Sequence, residues 1–308
     1  MLDVRMRAVD VEILKYRAKM LAGIRQYFDS RGFVEVETSV RIEAPAPEPN
    51  IDCPEVPPSQ RHGGKVSYLR ASPELQMKKL LCVGMDRIYQ IGPCFRDGEK
   101  GSRHNPEFTM IEWYRRDATY LDIIEDAKSL LSFLSENIGC YGGGLLKSMK
   151  STGNELVFRK LSVRDAYLAW AGWDPWKDWN QDRFDFDMAT KIEPALKSLG
   201  LVFLMDYPPQ AASLARIQGD SAERWELYFD GVELANCFSE LCDPAEQRRR
   251  FEEARAERKK LNESDYPMDE EFLSMLGCLE SAAGVALGID RLVMKLSSAD
   301  EILQVRAY

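Results

Sequence analysis

Histidine is scarce, with only His62 and His104 in 308 residues, so a zinc site of the common His/Cys kind would be hard to assemble. The seven cysteines (Cys53, Cys82, Cys94, Cys140, Cys237, Cys242, Cys278) are scattered, odd in number and free of any C-x-x-C pair, which points to reduced thiols and not a disulfide framework. No run of eighteen apolar residues occurs, and the N-terminal stretch MLDVRMRAVDVEILKYRAKM is charged throughout. Neither a membrane span nor a signal peptide is supported, and a cytoplasmic protein is expected. Positive charge is in the minority, 41 Lys and Arg against 50 Asp and Glu, a net charge of −9 that argues against a broad basic face coating nucleic acid. Neither glycine-rich phosphate loop, G-x-x-x-x-G-K-[ST] or G-x-G-x-x-G, is present. If a nucleotide binds, arginines must hold it. There is also no internal repeat and no low-complexity tract, so one domain is the simplest organisation.

What is present reads as a folded mixture of helices and strands, with 45% hydrophobic and 30% charged residues. From Val9 to Ser30 apolar residues recur every three or four positions, as on a helix with one buried stripe. Gly32 ends it, and FVEVETSV alternates like a half-buried strand. EAPAPEPNIDCPEVPPSQ holds six prolines and reads as an extended surface connector. A short strand then turns at Ser72 and Pro73 into a helix from Glu74 to about Val83, with Ser72 as N-cap. RIYQIGPCFRDG and EFTMIEWYRR are strands joined by a long polar hairpin, and Tyr120–Glu136 is a second striped helix. Residues 140–200 are the least legible; the aromatic stretch WAGWDPWKDW reads as packing. Two further strands flank the turn Asp230-Gly231, Pro244–Leu261 is a charged helix with a solvated face, and a small-residue strand turns at Gly288 into a helix near Asp290.

The hairpin loop FRDGEKGSRHNPEFTMIEWY places Arg96, Arg103 and His104 beside Glu112 and Tyr114, so cations suited to phosphate stand next to carboxylates suited to amines. Arg291 adds a guanidinium from the last helix. Surface arginines are the bland alternative. Glu233 and Glu240, seven apart with Asn236 between them, are hard oxygen ligands that suit Mg²⁺ bridging phosphates. Glu74 and Glu112 lie in segments that otherwise bury apolar residues, where an unmatched carboxylate is costly, and a cationic substrate would match them.

These residues resemble motif 2 of class II aminoacyl-tRNA synthetases; GVALGIDRLVM resembles motif 3 and GFVEVETS looks like motif 1. The whole chain is similar to the catalytic domain of lysyl-tRNA synthetases, through SPELQMKKLL, RHNPEFTMIEWY and ELANCFSEL. The resemblance implies an α+β fold with an antiparallel sheet flanked by helices, ATP and Mg²⁺ as cofactors, and a homodimer. Those synthetases carry an N-terminal OB-fold that binds the anticodon, whereas this chain begins at the motif 1 helix. A single catalytic domain over residues 1–308 is therefore expected, with tRNA not the expected partner. Free-standing domains of this kind resemble the bacterial elongation factor P lysyltransferases, which attach (R)-β-lysine to a lysine of elongation factor P, and YPPQAASLARI resembles a segment of that subfamily. Lysine or β-lysine would be activated on ATP. A tRNA or small-molecule acceptor, or an inactive regulatory paralogue, stays open as an alternative.

By the same resemblance Arg96 would contact the α-phosphate, Arg103 and His104 the outer phosphates, and Phe108 would stack on adenine. Asp97, Gly98, Asn105, Leu234, Gly288 and the motif 3 arginine Arg291 complete the nucleotide contacts. Glu233 and Glu240 would border Mg²⁺ and, with Arg96 and Arg291, the chemistry. Ser72, Pro73 and Glu74 match positions near the substrate's amino group; Glu112, Tyr114, Asn236 and Glu240 would line the lysine-like pocket, with Ala286 on its floor. Three departures stand out: Gly98 at the glutamate position of F-R-x-E with Glu99 next along, Ser39 in place of the motif 1 proline, and Cys237 in place of the glycine of N-G-F, expected to add bulk beside the pocket.

Overall fold

The computed structural model describes residues 10–60, 63–138 and 156–307; His62 and Cys140 lie outside them. Helix α1 (Val11–Ser30) is capped by Asp10, whose carboxylate accepts the Glu12 and Ile13 N–H groups, and it buries Ile13, Tyr16, Met20, Ile24, Tyr27 and Phe28 on one stripe. Gly32, at φ +73°, turns the chain into β1 (Val34–Glu35). The ladder is shorter than the alternation of FVEVETSV predicts. After Val36 donates to the Tyr89 carbonyl, the next bond goes to a side chain, from Thr38 N–H to Gln90 Oε1 at 2.8 Å, and the strand ends.

The proline-rich connector is not featureless. It carries β2 (Arg41–Ile42) and β3 (Glu55–Val56), which sandwich β4 (Ser67–Leu69) in a small antiparallel sheet over Cys53, Tyr68 and Tyr266. Helix α2 (Glu74–Cys82) follows with Pro73 at the cap position; Ser72 sits one residue too early for that role, yet its hydroxyl accepts the Glu74 N–H at 2.9 Å. Then come the hairpin β5 (Arg87–Phe95) and β6 (Glu107–Arg116), and α3 (Tyr120–Asn137), which starts in a capping box of Thr119 and Asp122. Strand β7 (Phe158–Ser162) leads through short helices α4 (Val163–Ala166), α5 (Gln181–Asp187) and α6 (Glu193–Leu196) to β8 (Leu201–Tyr207). Here the tryptophans do pack: Trp173 is buried edge-on to Tyr167 and donates Nε1–H to Asp187 at 2.8 Å.

Strands β9 (Ile217–Gln218), β10 (Ser221–Phe229) and β11 (Val232–Ser239) follow, the last two closed by Asp230 and Gly231, both at positive φ as a two-residue hairpin turn requires. Helix α7 (Pro244–Lys260), α8 (Glu270–Leu276), β12 (Ala282–Gly288) and α9 (Ile289–Ser297) come next, and a single 3-10 turn over Ile302–Val305 follows them. The main sheet runs β1-β5-β6-β12-β11-β10-β8-β7, with β9 attached to β10; it is antiparallel except at its ends, where β1 joins β5 and β7 joins β8 in parallel. Those parallel pairs follow from the long crossovers between their strands. Helix α7 is more than a solvated face, because Arg258, Gln247 and Phe251 are buried on it.

Strand alternation sorts the sheet's two faces. Tyr89, Ile111, Trp113, Trp225, Leu227, Ala283, Val285 and Leu287 point to one face, which α1, α3 and α9 cover to form the larger core. The intervening residues, Glu112, Tyr114, Asn236, Phe238, Gly284 and Ala286 among them, point to the other. Cys237 belongs to the helix-covered face, so its bulk lies behind the sheet and not beside the pocket as expected from the sequence.

Candidate active site

On that second face a row of side chains runs across neighbouring strands: Gln90 on β5 pairs Glu112 on β6, which pairs Ala286 on β12, then Asn236 on β11, then Glu226 on β10. At a strand spacing of about 4.8 Å, Glu112 and Glu226 stand roughly 14 Å apart. Small residues on β12 keep the middle of the row low. Above it lies a cavity of about 200 Å³.

One end of the cavity is cationic. Arg96 follows β5, Arg103 and His104 come from the hairpin loop, and Arg291 from the first turn of α9. Arg291 donates to the Glu233 carbonyl at 3.1 Å and meets His104 Nε2 at 2.6 Å. Burial and the Arg291 charge hold His104 below the ordinary imidazole range, so the ring stays neutral near pH 7. Arg96 lies 5.2 Å from the Phe108 ring centre, and its Nε has no hydrogen-bond partner among the described residues. Asp290, fully enclosed, takes Arg17 at 2.6 Å, Arg306 at 2.9 Å and the Thr109 N–H at 3.0 Å, which pins the start of α9 to β6. Gly98, at φ +78°, suits a glycine, and Glu99 beside it lines the cavity 3.4 Å from Arg96, restoring a carboxylate one residue along.

The other end is acidic and buried. Ser72 donates to Glu112 Oε1 at 2.6 Å and Tyr114 to its Oε2 at 2.6 Å. Lys78, wholly buried on α2, pairs with Glu74 at 2.5 Å and with Glu240. Burial pushes the Glu112 carboxyl up to about 7, helped by the Glu74 charge and opposed by the Ser72 and Tyr114 hydroxyls. Burial also lifts Glu240 to about 8, against the pull of Lys78 and with the push of Glu74 and Glu112. Burial works against the Lys78 ammonium, but Glu240 and Glu74 outweigh it and hold it charged. Lys78 thus pairs with two of the three acids, Glu74 and Glu240, while Glu112 takes two hydroxyls, an arrangement that a second cation would complete.

Sixteen of the residues singled out from the sequence line this one cavity: Ser72, Glu74, Arg96, Arg103, His104, Asn105, Phe108, Glu112, Tyr114, Glu233, Leu234, Asn236, Glu240, Ala286, Gly288 and Arg291. Three do not. Pro73 is buried behind the wall, Asp97 is tied outside it by its N–H to the Asp52 carbonyl at 2.8 Å, and Gly98 is exposed in the turn.

The joint Mg²⁺ role of Glu233 and Glu240 needs correction. On a regular strand a separation of seven would put the two on opposite faces; a bulge at Leu234, where pairing steps from Ala235 to Glu233 across Leu227 and Tyr228, brings them to the same face. They nonetheless sit far apart, Glu233 near the start of β11 and Glu240 just past its last residue, on the order of 20 Å along the backbone. Glu240 faces Lys78, Glu74 and Glu112, whereas Glu233 feels Glu226 across the hairpin and is raised by burial and that like charge, with Arg291 opposing. Glu226 was missed. Counting alternation back from the Asp230-Gly231 turn would have put it on the same face as Glu233. Among the described residues no cluster of three or more His, Cys, Asp or Glu is placed to hold a metal alone. Glu48 from the proline-rich connector, also missed, lines the cavity and left no periodic signal in the sequence.

Fold and cleft together define a class II synthetase catalytic domain. The chain matches the family model of class II tRNA synthetases (D, K and N) over residues 1–308 and belongs to that family. It is 35% identical over 305 residues to the elongation factor P–(R)-β-lysine ligase of Proteus mirabilis (strain HI4320), covering 95% of this chain and 93% of that protein. It is 34% identical over 314 residues to the protein of the same name from Vibrio cholerae serotype O1, covering 98% and 97%.

Proposed function

We propose that the protein activates a lysine-type amino acid, (R)-β-lysine foremost, on ATP and transfers it to a lysine side chain of elongation factor P. The observation that carries this reading is one cavity whose arginine-rich end adjoins a buried acidic end: the first suits a triphosphate, the second an amino acid with two ammonium groups. The similarity to the elongation factor P–(R)-β-lysine ligases of Proteus mirabilis and Vibrio cholerae supports it.

In this reading the substrate carboxylate attacks the α-phosphorus and pyrophosphate leaves. Arg96, which lines the cavity and whose Nε has no hydrogen-bond partner among the described residues, stabilises the charge that grows on the phosphorus oxygens, while Arg103, His104 and Arg291 hold the departing phosphates. Phe108 offers a ring face for adenine. Glu233, which lines the cavity, would hold Mg²⁺ beside the phosphates, since a dication would relieve the like charge of Glu226 that helps to raise it, while Glu226 itself is paired with Arg224 at 2.6 Å. When bound, that ion supplies charge neutralisation and alignment of the phosphates. Glu74, Glu112, Tyr114 and Glu240 hold the amines. A neutral amine of the acceptor then attacks the carbonyl carbon of the adenylate, AMP leaves, and an amide results; no side chain of this chain serves as a nucleophile.

The test is ATP–pyrophosphate exchange stimulated by each lysine isomer, followed by transfer to elongation factor P read by intact mass. Exchange with a lysine isomer and a mass gain of one lysyl unit on the acceptor are expected; no exchange with any isomer sinks the reading. Arg96→Ala should lower kcat by about 10²-fold or more.

A further inference from the structure

The connector between β2 and β3 delivers a carboxylate to the cavity that no family motif in the sequence announces. Glu48 lies between Pro47 and Pro49, which restrict its backbone, and two contacts of its own and one of its neighbour Ile51 fix it further. Ser213 donates to Oε2 at 3.1 Å, Arg258 donates to the Glu48 carbonyl at 2.8 Å, and Arg258 also takes the Ile51 carbonyl at 2.9 Å. A half-buried side chain so tethered keeps its remaining exposure toward the cavity it lines.

Glu48 stands at the junction of the two ends. Glu48, Ile51, Ser72 and Glu74 line both the cavity and a smaller recess that adjoins it, which sets Glu48 beside the acid end, and Arg96 of the phosphate end shares the cavity wall with it. Burial and the Glu74 charge raise its carboxyl, with Arg96 and Arg224 opposing. Whatever binds between Glu48 and Glu74 is therefore close to where the substrate's carboxylate must meet the α-phosphate. The far end calls for its own donor. Glu240 is 2% exposed, lines the cavity, and its Oε1 has no hydrogen-bond partner among the described residues. Two separate ammonium positions result, one at each end of the acidic half.

Building on the activation reading above, we infer that Glu48 and Glu74 together bind the amine nearest the substrate's carboxylate, and that Glu48 makes the enzyme prefer a diamino acid over one with a distal amine only. Both lysine isomers carry that near amine on adjacent carbons; 6-aminohexanoate lacks it while keeping the carboxylate and the distal amine.

The experiment compares the unaltered protein with Glu48→Gln, which keeps shape and the Ser213 contact but removes the charge. KM for L-lysine and (R)-β-lysine, the inhibition constant of 6-aminohexanoate against them, and KM for ATP are read by pyrophosphate exchange. The preference for the better lysine isomer over 6-aminohexanoate should narrow by about 10- to 100-fold in the variant, the range for losing a hydrogen bond to a charged group. KM for ATP should report an intact nucleotide end. A preference that stays the same, whether both ligands weaken together or neither does, overturns the inference and leaves the activation reading standing. Absence of exchange by the unaltered protein with either isomer overturns both.

Discussion

Glu112 holds its proton at pH values where exposed carboxyls have lost theirs, and this has a directional consequence. An unfolded glutamate titrates near 4.5, while folded Glu112 titrates near 7 because it is buried beside Glu74. Between those values the folded chain carries a proton that the unfolded chain has released. Stability of the unliganded protein therefore falls as pH rises through that window. A dicationic amino acid binds the ionised forms, so its binding should release protons and tighten from pH 6 toward pH 8. Calorimetric titration of lysine in buffers of different ionisation enthalpy reads the protons directly. Glu112→Gln should shrink that proton release and weaken lysine binding by about 10-fold or more, since a charged hydrogen-bond acceptor is lost. Lysine affinity flat across this pH range would contradict the assignment.

At the scale of elements, the cleft depends on which residues β11 and β12 turn toward it. Gly284 is the tightest point: a Cβ there would overlap the Tyr114 ring and come within 2.9 Å of Glu240 Oε1. Gly284→Ala should cost about 1–3 kcal/mol of stability through overpacking and raise KM for the amino acid more than KM for ATP. Denaturant midpoints and the two KM values check this; equal rises in both KM values would show that the strain spreads beyond the amine end. Much of the framework could be read from local pattern. The stripe of α1, the alternation of β5 and β6, and the Asp230-Gly231 turn are all short-range signals; α1 and β6 formed within two residues of where their patterns placed them, and β5 stops three residues short, at Phe95. What escaped was set by pairing at a distance. The bulge at Leu234 decides the phase of Glu233, the helix-covered face claims Cys237, and neither follows from β11 alone.

On the scale of the whole molecule, the two ends of the cleft are joined by a residue outside it. Arg258 on α7 is fully buried and donates to the carbonyls of Glu48 at 2.8 Å, Ile51 at 2.9 Å and Ser264 at 2.9 Å, with Asp52 at 2.5 Å and Glu263 at 3.0 Å as its counter-charges. Its guanidinium also lies 4.3 Å from the Tyr266 ring centre. Asp52 in turn accepts the Asp97 N–H through its carbonyl, so one side chain braces both the connector that carries Glu48 and the loop that follows Arg96. Segments some two hundred residues apart in the chain are thus held in register from behind the cavity wall. Charge-rich periodicity makes α7 look merely solvated, since a buried arginine is indistinguishable by type from its exposed neighbours. Arg258→Met keeps the apolar stem but strands three carbonyls, and should cost about 3–5 kcal/mol, the range for removing one partner of a buried charged network. Denaturant unfolding measures that loss. At a temperature where the variant remains folded, KM for the amino acid should rise together with KM for ATP, because Glu48 and the hairpin loop loosen together. This differs from Glu48→Gln, where only the preference among amino acids is expected to move. A variant as stable as the unaltered protein, with both KM values unchanged, would show that the connector and the hairpin loop hold their places without Arg258.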